Sequence, residues 1–352
     1  MSKRGAADGG DGEGAYHGLL AVWGIAMKSL LEVKGLKKYF PLRRGLLQSL
    51  LGKQEWIRAV DNISFEVMPG EVFGLAGESG CGKTTTGKTV LRLLEPTAGE
   101  VVFDGVELFK LPPNELKPYR RRMQIIYQDP YESLNPRMNV FDIISEGIDI
   151  HNLAETPSEK EELVISALEM VDLIPPGEFL YRYPHELSGG QRQRVCIARV
   201  LVLKPDFIVA DEPVSMLDVS IRASILQLML RWKDEANISY LFITHDLAVA
   251  RHMCDRIAIM YLGKIVEMGD IEEIVENPTH PYTQALMAAV PVPDPTAEKA
   301  KAMITGEVPT PINPPSGCRF HPRCPHATER CRREEPEFME VRRGHLVACH
   351  LL

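Results

Sequence analysis

Apolar residues along this chain fall first into short runs and alternations and then into longer stripes, and the change of period lays out the elements. Leu30-Leu31-Glu32-Val33 reads as a first strand, and residues 58–67 place Val60, Ile63, Phe65 and Val67 in a strand-like alternation. Val72-Phe73-Gly74-Leu75-Ala76 is apolar throughout, which suits a buried strand entered by the turn Met68-Pro69-Gly70. Glu100 to Phe103 and Met123 to Tyr127 predict two more strands. From Val140 to about Leu203 the period becomes helical, with a start at Pro157-Ser158-Glu159 and a break at Pro175-Pro176-Gly177. Phe207-Ile208-Val209-Ala210 is a short buried strand ending in Asp211-Glu212. A helix is predicted over 219–236, striped by Ile221, Ile225, Leu228 and Trp232, and it leads to the strand Tyr240-Leu241-Phe242-Ile243. Strands alternating with helices, and a helical insertion between two β-rich parts, predict an α/β fold with a mostly parallel sheet.

The flanks differ in texture. Residues 1–27 are glycine-rich with scattered charge and read as a disordered extension, with Met27 as a second candidate start. Residues 41–55 read as a basic loop with a Leu-rich centre. After Val290, Pro291-Val292-Pro293-Asp294-Pro295 and the prolines between 309 and 315 predict a linker over 291–317. That linker would keep a cysteine-rich tail, 318–352, separate from the main domain of 28–290.

Composition narrows the function. A chain of 352 residues with 45% hydrophobic content can build one large or two moderate cores. A net charge of -8 argues against a protein that coats nucleic acid. No apolar run approaches the roughly 20 residues of a membrane-spanning helix, and the early order of charges and glycines does not suit a signal peptide. Membrane association is therefore expected to go through a partner or a surface contact.

The strongest chemical signal is Gly77-Glu78-Ser79-Gly80-Cys81-Gly82-Lys83-Thr84, which reads G-x-x-x-x-G-K-T between a strand and a helix. The glycines let several backbone N–H groups point at one anion, and the following helix adds its positive end. Lys83 is placed to reach the β- and γ-phosphates, and the Thr84 hydroxyl to bind Mg²⁺, with Thr85 next in line. Cys81, at a helix N-terminus, has two readings of equal standing: a thiol of lowered pKa that reacts with alkylating agents, or a small loop-filling side chain. Asp211, closing an apolar strand, can hold the Mg²⁺ shell, and Glu212 beside it can polarise water. Phosphoryl transfer needs that division between charge neutralisation and orientation of the nucleophile. Glu186-Leu187-Ser188-Gly189-Gly190-Gln191 opens a second helix N-terminus, with Ser188 as its cap. No internal repeat is present, so the chain holds one nucleotide-binding unit.

These motifs in this order resemble the ABC ATPase family over roughly 28–290. The resemblance implies a P-loop NTPase with a RecA-like core, an antiparallel β subdomain and a helical subdomain at about 130–203. By position it implies that Phe40 stacks on adenine, with Tyr39 as the alternative, and that Gln128 is the Q-loop residue touching Mg²⁺ or the attacking water. It makes His245 the switch histidine at the γ-phosphate and Ser215-Met216-Leu217-Asp218 the D-loop. Met216 stands where relatives often have Ala, and altered packing is expected there. Ser188, Gly189, Gly190, Gln191 and Asp218 would act across a head-to-tail dimer, completing the partner's ATP site.

Tyr127 to Pro136, Asp218-Val219-Ser220-Ile221 and His280-Pro281-Tyr282-Thr283-Gln284-Ala285-Leu286 more closely resemble the oligopeptide/dipeptide permease ATPases, F-like member. That resemblance implies a peripheral subunit on the cytoplasmic face of the cell membrane, hydrolysing ATP to drive import of peptides or related small solutes. It further implies two transmembrane permease subunits, an external solute-binding protein, and a second ATPase subunit in a heterodimer, a homodimer being the alternative. No nucleic-acid partner is expected. The competing class is a soluble ABC ATPase of the DNA-repair type with a zinc-binding tail, and an exporter is a third possibility.

Four of the seven cysteines, Cys318, Cys324, Cys331 and Cys349, crowd the last 35 residues with five, six and seventeen residues between them. Four thiolates can enclose a [4Fe-4S] cluster or one Zn²⁺. Paired C-x₂-C knuckles, which zinc sites favour, are absent, and the resemblance to permease ATPases, in some of which a similar tail binds a [4Fe-4S] cluster, implies the cluster first. His321, His326, His345 and His350 leave a mixed zinc site open, and a metal-free tail is the remaining reading. Arg319, Arg323, Arg330, Arg332 and Arg333 surround the cysteines and would favour an anionic cluster. Cys196 and Cys254 read as core residues.

Overall fold

A computed structural model describes residues 28–42, 54–289 and 309–352. The predicted N-terminal extension, most of the basic loop and the 291–308 part of the linker lie outside the described residues. Twelve strands are described, forming a four-stranded sheet ordered β2-β1-β4-β5 and an eight-stranded sheet ordered β11-β12-β10-β9-β3-β8-β7-β6. The small sheet is antiparallel, built from β1 (Leu31–Pro41), β2 (Trp56–Val67), β4 (Ala98–Phe103) and β5 (Val106–Glu107).

The large sheet carries the chemistry. β3 (Val72–Ala76), β6 (Met123–Ile126), β7 (Phe207–Asp211), β8 (Ser239–Thr244) and β9 (Arg256–Tyr261) pair in parallel. Successive residues serve opposite faces. Val72, Ala76, Ile208, Ala210, Tyr240 and Phe242 join the core on one side, while Phe73, Leu75, Phe207, Val209, Leu241 and Ile243 join the core on the other. Burial on both faces explains why these strands read as unbroken apolar runs.

The helices Val140–His151, Pro157–Met170 and Gly189–Leu201 form the helical subdomain on the first of these cores. Asn139 and Thr156 cap the first two, each accepting a backbone N–H three residues on at 2.8 and 3.2 Å.

The tail is not separate. Its strand β12 (His345–Ala348) pairs antiparallel with β10 (Lys264–Asp270), β11 (Phe338–Arg342) pairs antiparallel with β12 at the sheet edge, and β10 in turn pairs antiparallel with β9. Phe320 is 1% exposed and sits among Tyr261, Tyr282 and His280 at ring-centroid distances of 5.3, 5.4 and 5.6 Å. The expectation of a detached tail fails because apolar and ionic anchors within it bind it back onto the ATPase domain.

Candidate functional site

The carboxyl ends of the parallel strands point their loops into one cleft. Residues 77–80 and 82–85 line it together with Gln128, Glu212 and His245. The loop glycines are forced. Gly82 has φ 112°, and a Cβ there would stand 2.1 Å from the Ala59 carbonyl oxygen; at Gly77, φ 152°, it would stand 2.2 Å from that of Met260. The helix Lys83–Val90 follows directly, so its free N–H groups face the cleft.

The cation of the loop is held by the loop itself. Lys83 is 5% exposed and its Nζ donates to the carbonyls of Gly77 at 2.7 Å and Glu78 at 3.0 Å. The Thr84 hydroxyl donates to Asp211 Oδ1 at 2.9 Å. Burial pushes the Asp211 carboxyl up, against the pull of Thr84. The Thr84 hydroxyl and the Asp211 carboxylate are hard oxygens of the kind that suits Mg²⁺. Glu212 has φ 48°, a left-handed conformation that turns its carboxylate out of line with Asp211. Its Oε2 receives Gln128 Nε2 and His245 Nδ1, both at 3.0 Å. Three residues from three loops thus meet on one oxygen.

Other predicted residues stand away from this cleft. Ser188, Gly189, Gly190 and Gln191 do not line it. They open the helix Gly189–Leu201 in a capping box, with Ser188 Oγ accepting from Gln191 N at 3.3 Å and Gln191 Oε1 from Ser188 N at 3.0 Å. A Cβ at Gly190 would meet Ile221 at 2.7 Å. Buried Gln193 donates to the Pro213 carbonyl at 2.8 Å, tying this helix to the segment after Glu212. Asp218 is exposed at the start of the helix Val219–Ala236. Met216 is 61% exposed, so it changes the outer surface of the D-loop and not the chain's internal packing, contrary to expectation. Phe40 is half-buried and does not line the cleft, but its cross-strand partner Ile57 does. Tyr39 turns its hydroxyl to Asp61 instead.

Cys81 takes the loop-filling reading and not the reactive one. It is 4% exposed and belongs to the core with Phe73, Leu75 and Met260, and burial pushes its thiol up despite Lys83 nearby. A position beside a helix N-terminus lowers a thiol's pKa only where the thiol can be solvated or paired. The residues that sequence reasoning missed are apolar wall positions, Ile57, Ala59, Leu247, Leu286 and Pro311. Pairing of β1 with β2 brings in Ile57 and Ala59, the return of the tail brings in Pro311, and Leu247 and Leu286 come from the helices Leu247–Met253 and Pro281–Ala288.

The family profile described as "ABC transporter" matches residues 60–215, and the one described as "Oligopeptide/dipeptide transporter, C-terminal region" matches 266–331. The oligopeptide transport ATP-binding protein AppF of Bacillus subtilis (strain 168) is 48% identical over 327 residues, covering 92% of this chain and 98% of that protein. This chain belongs to the ATP-binding proteins of the oligopeptide/dipeptide ABC transporters. The putative oligopeptide transport ATP-binding protein YkfD of the same organism is 47% identical over 324 residues, 92% of this chain and 95% of its own length. Among solved structures, the ATP-binding cassette MJ0796, a dimer bound to ADP and Pi, gives a TM-score of 0.59 at 29% identity over 68% of this chain and 98% of that one. CbiO1 from Clostridium perfringens, part of the ABC transporter complex cbiONQ, also gives 0.59, at 26% identity over 71% and 91%. The chain is thus an ABC ATPase, the ATP-binding subunit of a peptide importer. Among the described residues no helix of this ABC ATPase is long and apolar enough to cross a membrane.

The four tail cysteines are half-buried or buried, and none is in a disulfide. Burial pushes the Cys318 thiol up to about 11 and raises Cys324 and Cys349, and in each case others of the four add to the rise. Among the described residues, no group of three or more His, Cys, Asp or Glu is spaced to hold a metal ion. Three histidines are otherwise engaged: His321 on the Cys318 carbonyl at 2.9 Å, His350 on the Glu334 carbonyl at 2.9 Å, and His345 on Glu267 at 2.7 Å. Arg319 and Arg323, expected around the cysteines, point the other way, to Asp61 and Glu78 of the ATPase domain.

Proposed function

We propose that this ATPase is a peripheral subunit on the cytoplasmic face of the cell membrane. There it pairs with a second, different ATPase subunit and two permease subunits that receive peptides from an external binding protein. The observation that carries the catalytic part is the shared Glu212 oxygen, with Gln128 and His245 at 3.0 Å. Glu212 orients the attacking water, Gln128 reports its position to the neighbouring loop, and His245 moves to the γ-phosphate. Lys83 exchanges the Gly77 and Glu78 carbonyls for phosphate oxygens when ATP enters. Thr84, Asp211 and Gln128 would hold Mg²⁺, which would supply charge neutralisation on the transferred phosphoryl group. Phe40, beside Ile57, takes the adenine face.

Ser188, Gly189, Gly190, Gln191 and Asp218 complete the partner's site and not their own, which is supported by the exposure of Ser188 and Asp218 and by the absence of all five from this chain's cleft lining. MJ0796, whose cassette is dimeric, is the relative that motivates this arrangement. Cys318, Cys324, Cys331 and Cys349 form the ligand set of a [4Fe-4S] cluster. What supports this reading is the presence of four free thiols in one short tail; that no group among the described residues is spaced to hold a metal ion weighs on cluster and zinc alike.

Affinity isolation of the tagged chain from detergent-solubilised membranes tests the assembly. Recovery of two permease proteins and a second ATPase, with ATP-dependent peptide uptake on reconstitution, is the expected result. A lone chain whose ATPase is stimulated by DNA would overturn it. Iron and sulfide content with a visible charge-transfer band tests the tail; one zinc per chain would overturn the cluster.

A further inference from the structure

Glu78, the second residue of the phosphate loop, is held from outside the loop at two points. Its carboxylate takes both prongs of the Arg323 guanidinium, Nη1 at 2.8 Å and Nη2 at 3.1 Å. Its backbone N–H donates to the Tyr282 hydroxyl at 2.9 Å. Its carbonyl meanwhile accepts Lys83, so one residue joins the catalytic lysine to the C-terminal region.

Arg323 is fixed before it reaches Glu78. It is 8% exposed and lies over the Tyr261 ring, 5.8 Å from the centroid. Tyr261 in turn packs on Tyr282 at 4.7 Å and on Phe320 at 5.3 Å. Arg319, four residues earlier, is also 8% exposed and donates to Asp61 and to the Leu262 carbonyl. Asp61 accepts the Tyr39 hydroxyl as well, next to Phe40. Loop 318–324 therefore sends one arginine to the phosphate side of the cleft and one toward the strand pair that carries Phe40. A tail cysteine stands at each end of that loop, and Cys318 N donates to the Cys331 carbonyl at 2.8 Å.

The physical consequence follows from charge. Glu78 stands at the mouth of a site for a triphosphate, and an uncompensated carboxylate there repels the ligand. A two-pronged guanidinium cancels that charge and fixes the loop's direction together. We propose that Arg323 is a positioning residue for the nucleotide site, so that tight ATP binding depends on the docked cysteine tail. The proposal rests on residues 77–84 being the ATP site.

The test uses the full chain in the assembled transporter, with ATP affinity, KM and kcat measured for Arg323→Gln, Arg323→Lys, Glu78→Gln and the double variant Glu78→Gln/Arg323→Gln. Arg323→Gln raises the ATP KM by roughly 10-fold, within the usual range of coupling between sites, and changes kcat much less. Arg323→Lys falls between it and wild type. The double variant binds ATP better than Arg323→Gln alone, because the repelling carboxylate has gone with its partner. By reciprocity, MgATP slows hydrogen exchange in 318–324 of the wild type and not of Arg323→Gln. If Arg323→Gln does not fold, Arg323→Lys carries the test. Wild-type KM in the folded Arg323 variants, or a double variant no better than Arg323→Gln, overturns the proposal. Loss of all nucleotide binding on Lys83→Ala is the separate control for the site itself, and its failure would remove the premise and not the coupling.

Discussion

Arg323 and Glu78 lie 245 residues apart in sequence and form a two-pronged ion pair at 2.8 and 3.1 Å. The pair joins the residue before a tail cysteine to the loop that receives phosphate. With Arg319 on Asp61 and Phe320 in the Tyr261–Tyr282 box, it makes the C-terminal segment part of the nucleotide domain's architecture.

Removal of the Phe320 ring should undo that docking. The side chain is 1% exposed among three rings, and Phe320→Ala is expected to destabilise the tail by about 3–5 kcal/mol. Hydrogen exchange would speed up in β12 and in 318–324 while β3 and β7 remain protected. Unchanged exchange in the tail would contradict the packing.

The same interface is sensitive to acid. His280 is 1% exposed, its Nδ1 accepts the Tyr282 N–H at 3.1 Å, and burial holds its pKa down at about 4 against the ordinary 6.5, with Glu267 pulling weakly upward. The unfolded chain takes up this proton as pH falls through about 6.5, whereas the folded chain does not until about 4. The contribution is therefore complete above 6.5 and declines as pH falls toward 4. Melting temperature is expected to drop between pH 7 and pH 5, and His280→Asn to flatten that slope. An unaltered slope in the variant would assign the acid sensitivity to other groups.

Thiol chemistry separates the cysteines by place. Cys81, Cys196 and Cys254 are buried and their thiols are pushed up by that burial. N-ethylmaleimide mass spectrometry of the native chain should leave all three unmodified, and denaturation should expose them. Rapid native labelling of Cys81, blocked by ATP, would restore it to the phosphate-facing surface.

Ser188→Ala removes the oxygen that caps the helix Gly189–Leu201, a local cost of about 1 kcal/mol. Because Ser188 does not line its own chain's cleft, the variant should bind ATP like wild type and still hydrolyse it slowly in the assembled dimer. A loss of ATP binding by the isolated variant would contradict action across the interface.

The sequence exposes what is local. β3 at Val72–Ala76 and the helix Val219–Ala236 have the bounds their apolar patterns predict, because double-sided burial and a helical stripe leave unambiguous periods. The phosphate loop, Asp211, Glu212, Gln128 and His245 are likewise legible, since each sits in a motif at a strand end. What escaped is non-local. β10 carries Glu267 at 0% exposure in mid-strand, a polar residue that interrupts the apolar pattern and is satisfied only by His345 and the N–H groups of Thr279 and His280. Arg319 and Arg323 read as a charged fringe around cysteines, because their partners Asp61 and Glu78 are more than two hundred residues away. Proline-rich composition suggested a detached tail, yet pairing of β12 with β10 is set by main-chain hydrogen bonds that composition does not register.

The most direct test of the account is ATP turnover by the reconstituted transporter carrying Glu212→Gln. The account predicts that ATP still binds, that the ATPase dimer stays closed, and that turnover falls roughly 100-fold or more, the usual worth of a positioned general base. Wild-type turnover in that variant would contradict the assignment of Glu212 and, with it, the chemistry built on the oxygen it shares with Gln128 and His245.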